Sequence, residues 1–419
     1  MDVFTEMESE VRSYSRAWPV VFDRARGSRL YDEDGRGYLD FFTGAGALNY
    51  GHNQPVLKRA LLDYLGRDGV AHSLDMFTVA RRRFLETLRE TVLAPRELDY
   101  RVVFPGPGGA NAVEAALKLA RRVTRRTTVV SFTNSFHGMT LGALAVSGNS
   151  AKRAAAGVPL GHAVSLPYDG YEGGSPDLLD RMLGDPGSGL DLPAAVIVET
   201  VQGEGGLRSA GDGWLRALAA SCSRHGVLLI VDDVQMGCGR TGPFFSFEDA
   251  GIVPDMVCLS KSIGGYGLPL ALTLIRPGLD VWRPGEHNGT FRGVGPAFVT
   301  GAAALRAYWS DDGLEKAVRS AGERLSDAVG AIADGHKGAG LAVRGRGLAV
   351  GLDFSALGER AGDTASRVSA EAFRRGLLVE TSGADDSVVK LLPSLIVTDE
   401  ELDEGAGVLA TAVDAALRS

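Results

Sequence analysis

The sequence predicts an α/β fold: a large domain built on a mostly parallel sheet, with a smaller α+β domain after it. Three observations predict it. Short runs that are apolar throughout, at 127–132, 194–199, 227–232, 256–260 and 270–275, alternate with longer segments of helical periodicity. Strands without a polar face must be covered on both sides, which is how parallel sheets are buried. The chain has 419 residues, enough for two lobes, and its pattern changes near Asp312.

In chain order, residues 111–126 place Val113, Ala116, Leu117, Ala120 and Val123 on one helical face. A second helix is expected over 213–224, stopped by His225-Gly226. A third runs from Pro296, a residue suited to a first helical turn, to Trp309. Beyond Asp312 come an amphipathic helix, short strands at 342–353, 377–380 and 388–392, and a final helix from Asp399. The expected division is an N-terminal segment, 1–50, packed with the small domain; a large domain, 51–311; and a small C-terminal domain, 312–419.

Composition removes several classes of function. The net charge of -8, from 44 basic and 52 acidic residues, disfavours nucleic acid and anionic membranes as partners. No apolar stretch is long enough to span a bilayer. The opening stretch, MDVFTEMESEVRSYSR, is acidic and polar and reads as neither a signal nor a transit peptide. Cys222, Cys238 and Cys258 lack metal-ligand spacing and read as reduced thiols of a cytoplasmic protein, and the seven histidines show no zinc-type pairing. No metal site is expected.

Four features point to chemistry, and each has an ordinary reading beside it. Lys261 ends the apolar run 255–259 and precedes Gly264-Gly265-Tyr266-Gly267. Partial desolvation there lowers an amine's pKa and makes it nucleophilic toward carbonyls, although a single such lysine also fits a snorkelling stem or a salt bridge. Gly106-Pro107-Gly108-Gly109-Ala110-Asn111 stands directly before a helix, where backbone N–H groups and the helix N-terminus make a phosphate cup or simply a glycine-rich turn. Phe136, after a strand, is either a platform for a heteroaromatic ring or a core aromatic. Asp232 tips the strand 227–232, where it would meet a protonated pyridine nitrogen, a salt-bridge partner or a helix end. Cup, platform, aspartate and lysine in this order describe a pyridoxal 5′-phosphate site, because ligands of such sheets gather at the carboxyl ends of the strands, where Glu199, Asp232 and Lys261 all lie.

The chain also resembles a known family. Residues 111–121, Val201-Gln202-Gly203-Glu204-Gly205-Gly206, Asp232-Asp233-Val234-Gln235, Gly239-Arg240-Thr241-Gly242 and Ser260-Lys261 are similar to the class III (omega) aminotransferases of fold type I. Within that class, the stretches 11–16, 44–53, 261–269 and 287–293 resemble the diaminobutyrate–2-oxoglutarate aminotransferases of ectoine biosynthesis.

The resemblance implies roles. Lys261 becomes the Schiff-base lysine and, once freed, the carrier of a proton to and from the substrate. Asp232 pairs with the pyridine nitrogen, Gln235 bonds the phenolic oxygen and Phe136 stacks on the ring, with His137 in the same cofactor set. Gly108, Gly109 and Ala110 form the phosphate cup, the last two through backbone N–H groups. Thr290 reaches the phosphate of a neighbouring subunit, so a homodimer or dimer of dimers is implied. Glu204 gates a basic residue that grips the 2-oxoglutarate carboxylate; here that residue is Lys390, where arginine is common, and Tyr50 is placed with the substrate. The implied reaction moves the terminal amine of L-2,4-diaminobutyrate, or a close analogue, to 2-oxoglutarate, with aspartate 4-semialdehyde as the aldehyde partner.

Four places depart from that pattern. Gly108-Gly109-Ala110 stands where the ectoine-type enzymes have Thr-Gly-Thr, which removes two hydroxyls from the cup. Ser73 replaces a usual glycine, Val294-Gly295 two asparagines, and Pro393-Ser394 a pair that is often Pro-Pro. These changes keep other readings in view: a diverged pyridoxal phosphate enzyme of a specialised pathway acting on another amine, a lyase, decarboxylase or racemase that needs no keto acid, or a cofactor-binding subunit without activity.

Overall fold

The computed structural model describes residues 2–418. Its principal elements are β1 (Phe22–Arg26), β2 (Arg29–Asp32), β3 (Gly37–Asp40), β4 (Arg101–Val103), α1 (Gly109–Thr124), β5 (Val129–Phe132), β6 (Ala163–Leu166), β7 (Ala195–Val198), β8 (Val201–Gln202), β9 (Arg208–Ser209), α2 (Asp212–His225), β10 (Leu228–Asp232), β11 (Met256–Leu259), β12 (Leu272–Ile275), α3 (Gly295–Tyr308), α4 (Gly313–Gly335), β13 (Ala342–Arg346), β14 (Ala349–Asp353), α5 (Ala361–Arg374), β15 (Leu377–Leu378), β16 (Glu380–Ser382), β17 (Val388–Leu391) and α6 (Asp399–Arg418).

Seven strands form the central sheet in the order β4-β12-β11-β10-β7-β5-β6. β6, β5, β7, β10 and β11 run parallel, and β12 is antiparallel to both of its neighbours. The five apolar runs expected as strands all lie in this sheet. Their alternate residues serve two different cores. Val129, Ile197, Ile230, Met256 and Cys258 pack with Ala112, Val113, Ala116 and Leu117 of α1, while Val130, Val196, Val198, Leu229, Val231 and Val257 join the larger cluster on the other face. Successive side chains of a strand point to opposite faces, so a strand apolar at every position needs a layer on each side. β4 and β6 complete the sheet at its two edges. Their sequences carry too few apolar residues to stand out as runs, and both are partly exposed.

The C-terminal region forms a second sheet, β13-β14-β17-β16. The expected strand at 342–353 is a hairpin, β13 and β14, turned at Gly347, whose φ of 60° suits glycine. The stretch at 377–380 is divided between two sheets: β15 pairs with β3, and β16 pairs with β17. A third sheet, β1-β2-β3-β15, therefore joins the N-terminal segment to a strand from the far end of the chain. Among the described residues no helix is long and apolar enough to cross a membrane.

Candidate active site

The parallel strands β5, β7, β10 and β11 point their carboxyl ends the same way, and the chemistry-bearing residues leave the sheet there. One cleft is lined by Gly109, Ala110, Phe136, His137, Glu199, Glu204, Asp232, Gln235 and Lys261, together with Gly138, Val201, Val234 and Met236. Eight of the residues expected at the site thus come together from five separate segments.

Lys261 follows β11 after one residue and is half-buried. Its φ is 53°, a left-handed conformation that costs a side-chain-bearing residue about 1 kcal/mol or more. Close packing holds it. Ser260 Oγ donates to Leu270 O at 3.0 Å, Ser262 Oγ donates to Gly46 O at 2.8 Å, and a Cβ on Gly265 would lie 2.4 Å from Thr300 O. Burial lowers the pKa of the amine, and the nearby Glu204 carboxylate only partly offsets this.

At the tip of β10 the two adjacent aspartates face opposite ways, as strand residues must. Asp232 lines the cleft. Asp233 turns into the core, where it accepts from the Ser246 N–H at 3.1 Å, and burial pushes its pKa up to about 7. Asp232 Oδ2 is 2.7 Å from His137 Nδ1. Burial disfavours the charged imidazole, but the Asp232 hydrogen bond and charge outweigh it and raise the His137 pKa. Glu199, one residue past β7, accepts the Phe136 N–H at 2.9 Å, and burial drives its carboxyl up to about 8. Lys152 Nζ stands 4.3 Å from the Phe136 ring centroid, within cation–π range.

The phosphate cup opens α1. Gly108 caps that helix, its N–H donating to Asn111 Oδ1 at 3.1 Å, and does not line the cleft. Gly109 and Ala110 do line it, in the first turn, where helical N–H groups lack intrahelical partners. Residue 109 must be small, because a Cβ there would lie 2.8 Å from Val234 Cγ1.

Glu204 lies in the turn between β8 and β9. Its Oε1 accepts from Lys390 Nζ at 2.8 Å and from Gln235 Nε2 at 3.1 Å. Gln235 Nε2 also donates to Ala45 O at 3.0 Å. Gly203 leaves room for the Gln235 amide, since a Cβ there would lie 1.7 Å from Gln235 Oε1 and force that side chain to move. Lys390 is buried, 3.0 Å from Glu380 Oε1 on its other side. Burial works against ionisation of Glu204, yet the Lys390 and Lys261 charges hold its pKa down to about 2; the two carboxylates raise that of Lys390. Glu380, and Tyr14 behind it with its hydroxyl 3.4 Å from Glu380 Oε2, are members of this cluster that the sequence did not reveal. Only the register of β16 on β17 puts residue 380 opposite residue 390.

Two expected residues lie elsewhere. Tyr50 is in the core: its hydroxyl accepts from Trp309 Nε1 at 3.0 Å and its ring stacks on Tyr308, so both its polar end and its face are used within the chain. Thr290 is exposed, outside the cleft, with its carbonyl accepting from His72 Nε2 at 2.7 Å.

The cleft fits pyridoxal 5′-phosphate on its own chemistry. His137 Nε2 and Gln235 Oε1 are buried polar atoms without a hydrogen-bond partner. A glycine cradle and a helix N-terminus stand ready for a phosphate, and an aromatic ring, an aspartate and an unpaired amine surround the space beside it. No group of three or more potential ligands among the described residues could hold a metal ion.

The family described as Aminotransferase class-III matches residues 11–413. The chain belongs to the class III aminotransferases. Similar proteins named diaminobutyrate–2-oxoglutarate transaminase include one from Nocardia farcinica, 62% identical over 99% of this chain and 94% of its own, and one from Streptomyces avermitilis, 60% identical over 99% and 97%. Among solved structures, the ornithine aminotransferase of Toxoplasma gondii shares the fold with a TM-score of 0.85 at 24% identity, covering 100% of this chain and 94% of that one. The N-acetylornithine aminotransferase of Stenotrophomonas maltophilia does so with a TM-score of 0.77 at 28% identity, covering 97% and 99%. As a class III aminotransferase the chain is an enzyme that works with pyridoxal phosphate, an amino donor and a 2-oxo acid.

Proposed function

We propose that this aminotransferase moves the terminal amino group of L-2,4-diaminobutyrate to 2-oxoglutarate, releasing aspartate 4-semialdehyde and glutamate, as a step toward ectoine. The observation that carries this reading is the Glu204–Lys390 pair beside the cleft, taken with full-length relatives of that name at 52–62% identity.

Lys261 would hold the cofactor covalently, Asp232 would face its ring nitrogen with His137 behind, Phe136 would support the ring, Gln235 would meet the phenolic oxygen, and the N–H groups of Gly109 and Ala110 would hold the phosphate. Bound there, pyridoxal phosphate withdraws electrons from the substrate carbon and stores the amino group between half-reactions. The chain's own residues do the rest. Lys261, with its lowered pKa, would take the proton from the carbon bearing the reacting amine and deliver it to the cofactor carbon on the far side of that nitrogen. Asp232 keeps a positive charge favourable opposite it, and His137 fixes the orientation of that carboxylate. Glu204 neutralises Lys390 while the diamine occupies the cleft, and turns away when a 2-oxo acid brings its own carboxylate.

We further propose a three-part organisation, with residues 1–50 serving the small domain, 51–311 carrying the cofactor and 312–419 closing the site; the β3–β15 pairing supports it. Exposed Thr290 suits a role in the cleft of a neighbouring subunit, and hence a homodimer or dimer of dimers. Three buried free thiols suit a cytoplasmic protein.

A spectral titration of the holoenzyme tests the reading. L-2,4-diaminobutyrate should deplete the visible absorbance of the bound cofactor, and 2-oxoglutarate should restore it. An absorbance unmoved by the diamine would discard that donor. Lys390→Met should raise the KM for 2-oxoglutarate about tenfold or more, as expected for losing a charged hydrogen-bonding partner, and affect the donor far less; equal effects on both would refute the gate.

A further inference from the structure

Lys390 is enclosed by two carboxylates that are anchored differently. Glu380 is the register partner of Lys390 in the antiparallel β16–β17 ladder, where opposed side chains share a face. Its Oε1 lies 3.0 Å from Lys390 Nζ. β17 is pinned on its other edge by β14, with Gly351 opposite Lys390. The ladder therefore fixes the backbones of both members of this pair. Glu204, 2.8 Å from the same ammonium, sits in a turn, and its carboxylate is held only by the Lys390 and Gln235 side chains. Rotation of one side chain in a turn releases Glu204, whereas Glu380 stands on a strand that the ladder holds and meets the Tyr14 hydroxyl at 3.4 Å on its far side.

This difference matters because the cation is a lysine. An ammonium is a compact charge on a flexible stem, with three donors and no rigid fork to match a carboxylate. Exchanging Glu204 for a substrate carboxylate would leave a lone lysine free to follow either one. We propose that Glu380 is a positioning residue of the 2-oxo acid half-reaction, holding Lys390 in place while Glu204 yields to the substrate's carboxylate. The proposal rests on Lys390 being the carboxylate anchor, as read above. What Glu380 supplies is an oxygen held 3.0 Å from the ammonium, close to it without completing a hydrogen bond. Burial raises the Glu380 pKa, the Lys390 charge counters this, and the Glu204 charge raises it further. The remaining groups facing it are Tyr14, whose hydroxyl lies 3.4 Å from Oε2, and Lys261. Tyr14 is itself fixed between Trp18 and Phe42.

The test is the steady-state kinetics of holoenzyme carrying Glu380→Leu, Glu380→Gln or Lys390→Met, with both co-substrates varied. Glu380→Leu should raise the KM for 2-oxoglutarate about 5- to 10-fold, the worth of one ordinary polar contact, and that for the diamine less than about 2-fold. Glu380→Gln, which keeps an acceptor, should return the 2-oxoglutarate KM to within about 2-fold of wild type. Equal shifts in both KM values, or a Gln variant as impaired as the Leu variant, would overturn the proposal. Lys390→Met separates the two layers. If it leaves the 2-oxoglutarate KM unchanged, the anchor reading itself fails; if it raises that KM and Glu380→Leu does not, only the positioning role fails. Should Glu380→Leu not fold, Tyr14→Phe takes its place, with a rise of about 2-fold expected for the 2-oxo acid alone; no rise, or one shared with the diamine, would count against the proposal.

Discussion

The cofactor end of the cleft and its Lys390 end are built on opposite plans. At the first, Glu199, Asp232 and Lys261 leave the carboxyl ends of three parallel strands of one sheet, so backbone hydrogen bonds fix their relative positions. At the second, Tyr14, Glu204, Glu380 and Lys390 come from the N-terminal segment, a two-residue hairpin's turn and two strands of a separate sheet. The first end holds chemistry that must not move. On the mechanism proposed above, the second holds a cation that changes partners between half-reactions. Gln235 touches both: it follows β10 and lends its amide to Glu204.

The sharpest way to break this comparison is at the rigid end. Lys261→Ala should lower the rate of each half-reaction by about 10²–10⁴ or more, since a positioned acid–base group is worth that much, with the melting temperature nearly unchanged. Stopped-flow measurement of cofactor absorbance would show it; an equal loss for a variant at Lys390 would erase the distinction between the two ends. A smaller effect is expected at the cup. Ala110→Thr restores one hydroxyl beside the backbone donors and should tighten cofactor retention by about tenfold. Dialysis against cofactor-free buffer reads it, and unchanged retention would mean that the backbone donors of α1 already satisfy the phosphate.

The smallest effect concerns pH. The Glu199 carboxyl titrates near 8 in the folded chain against an ordinary 4.5. A raised acid contributes stability that is fully present below about pH 4.5 and is lost as pH rises to about 8, because over that span the unfolded chain sheds a proton that the folded one keeps. Cofactor-free Glu199→Gln should therefore lose less melting temperature between pH 5 and pH 8 than the wild-type chain. Parallel curves would show that the carboxylate is already ionised in the fold.

The two ends also differed in how far the sequence revealed them. Uniformly apolar runs ended by Asp232 and Lys261 declare both the strand and the residue at its tip, and the glycines before residue 111 declare a close approach. Glu199 stood out as a strand-end acid but without a role, because its bond to the Phe136 N–H crosses from one strand-end loop to another. Glu380 was silent, because pairing register is a property of two strands and neither carries it alone. Tyr50 shows the reverse case: its place in a recognisable stretch suggested the substrate, while contacts with Trp309 and Tyr308, distant in sequence, put it in the core. Thr290 and the cup glycine Gly108 likewise needed coordinates to be set outside the cleft.

The β3–β15 pairing has a consequence for how the chain is made. β1, β2 and β3 emerge early from the ribosome, yet the Leu39 N–H bonds Gly376 O and the Phe41 N–H bonds Leu378 O. Until nearly the whole chain has been synthesised, β3 offers an unpaired edge next to a hydrophobic cluster containing Trp18, Tyr38 and, eventually, Leu378. Unpaired edges are where nascent chains aggregate or mispair. Closing this sheet is thus the capture of an early strand by a late one, and it joins the segment that carries Tyr14 to the region that carries Glu380, so a molecule whose sheet is still open has an incomplete cluster around Lys390.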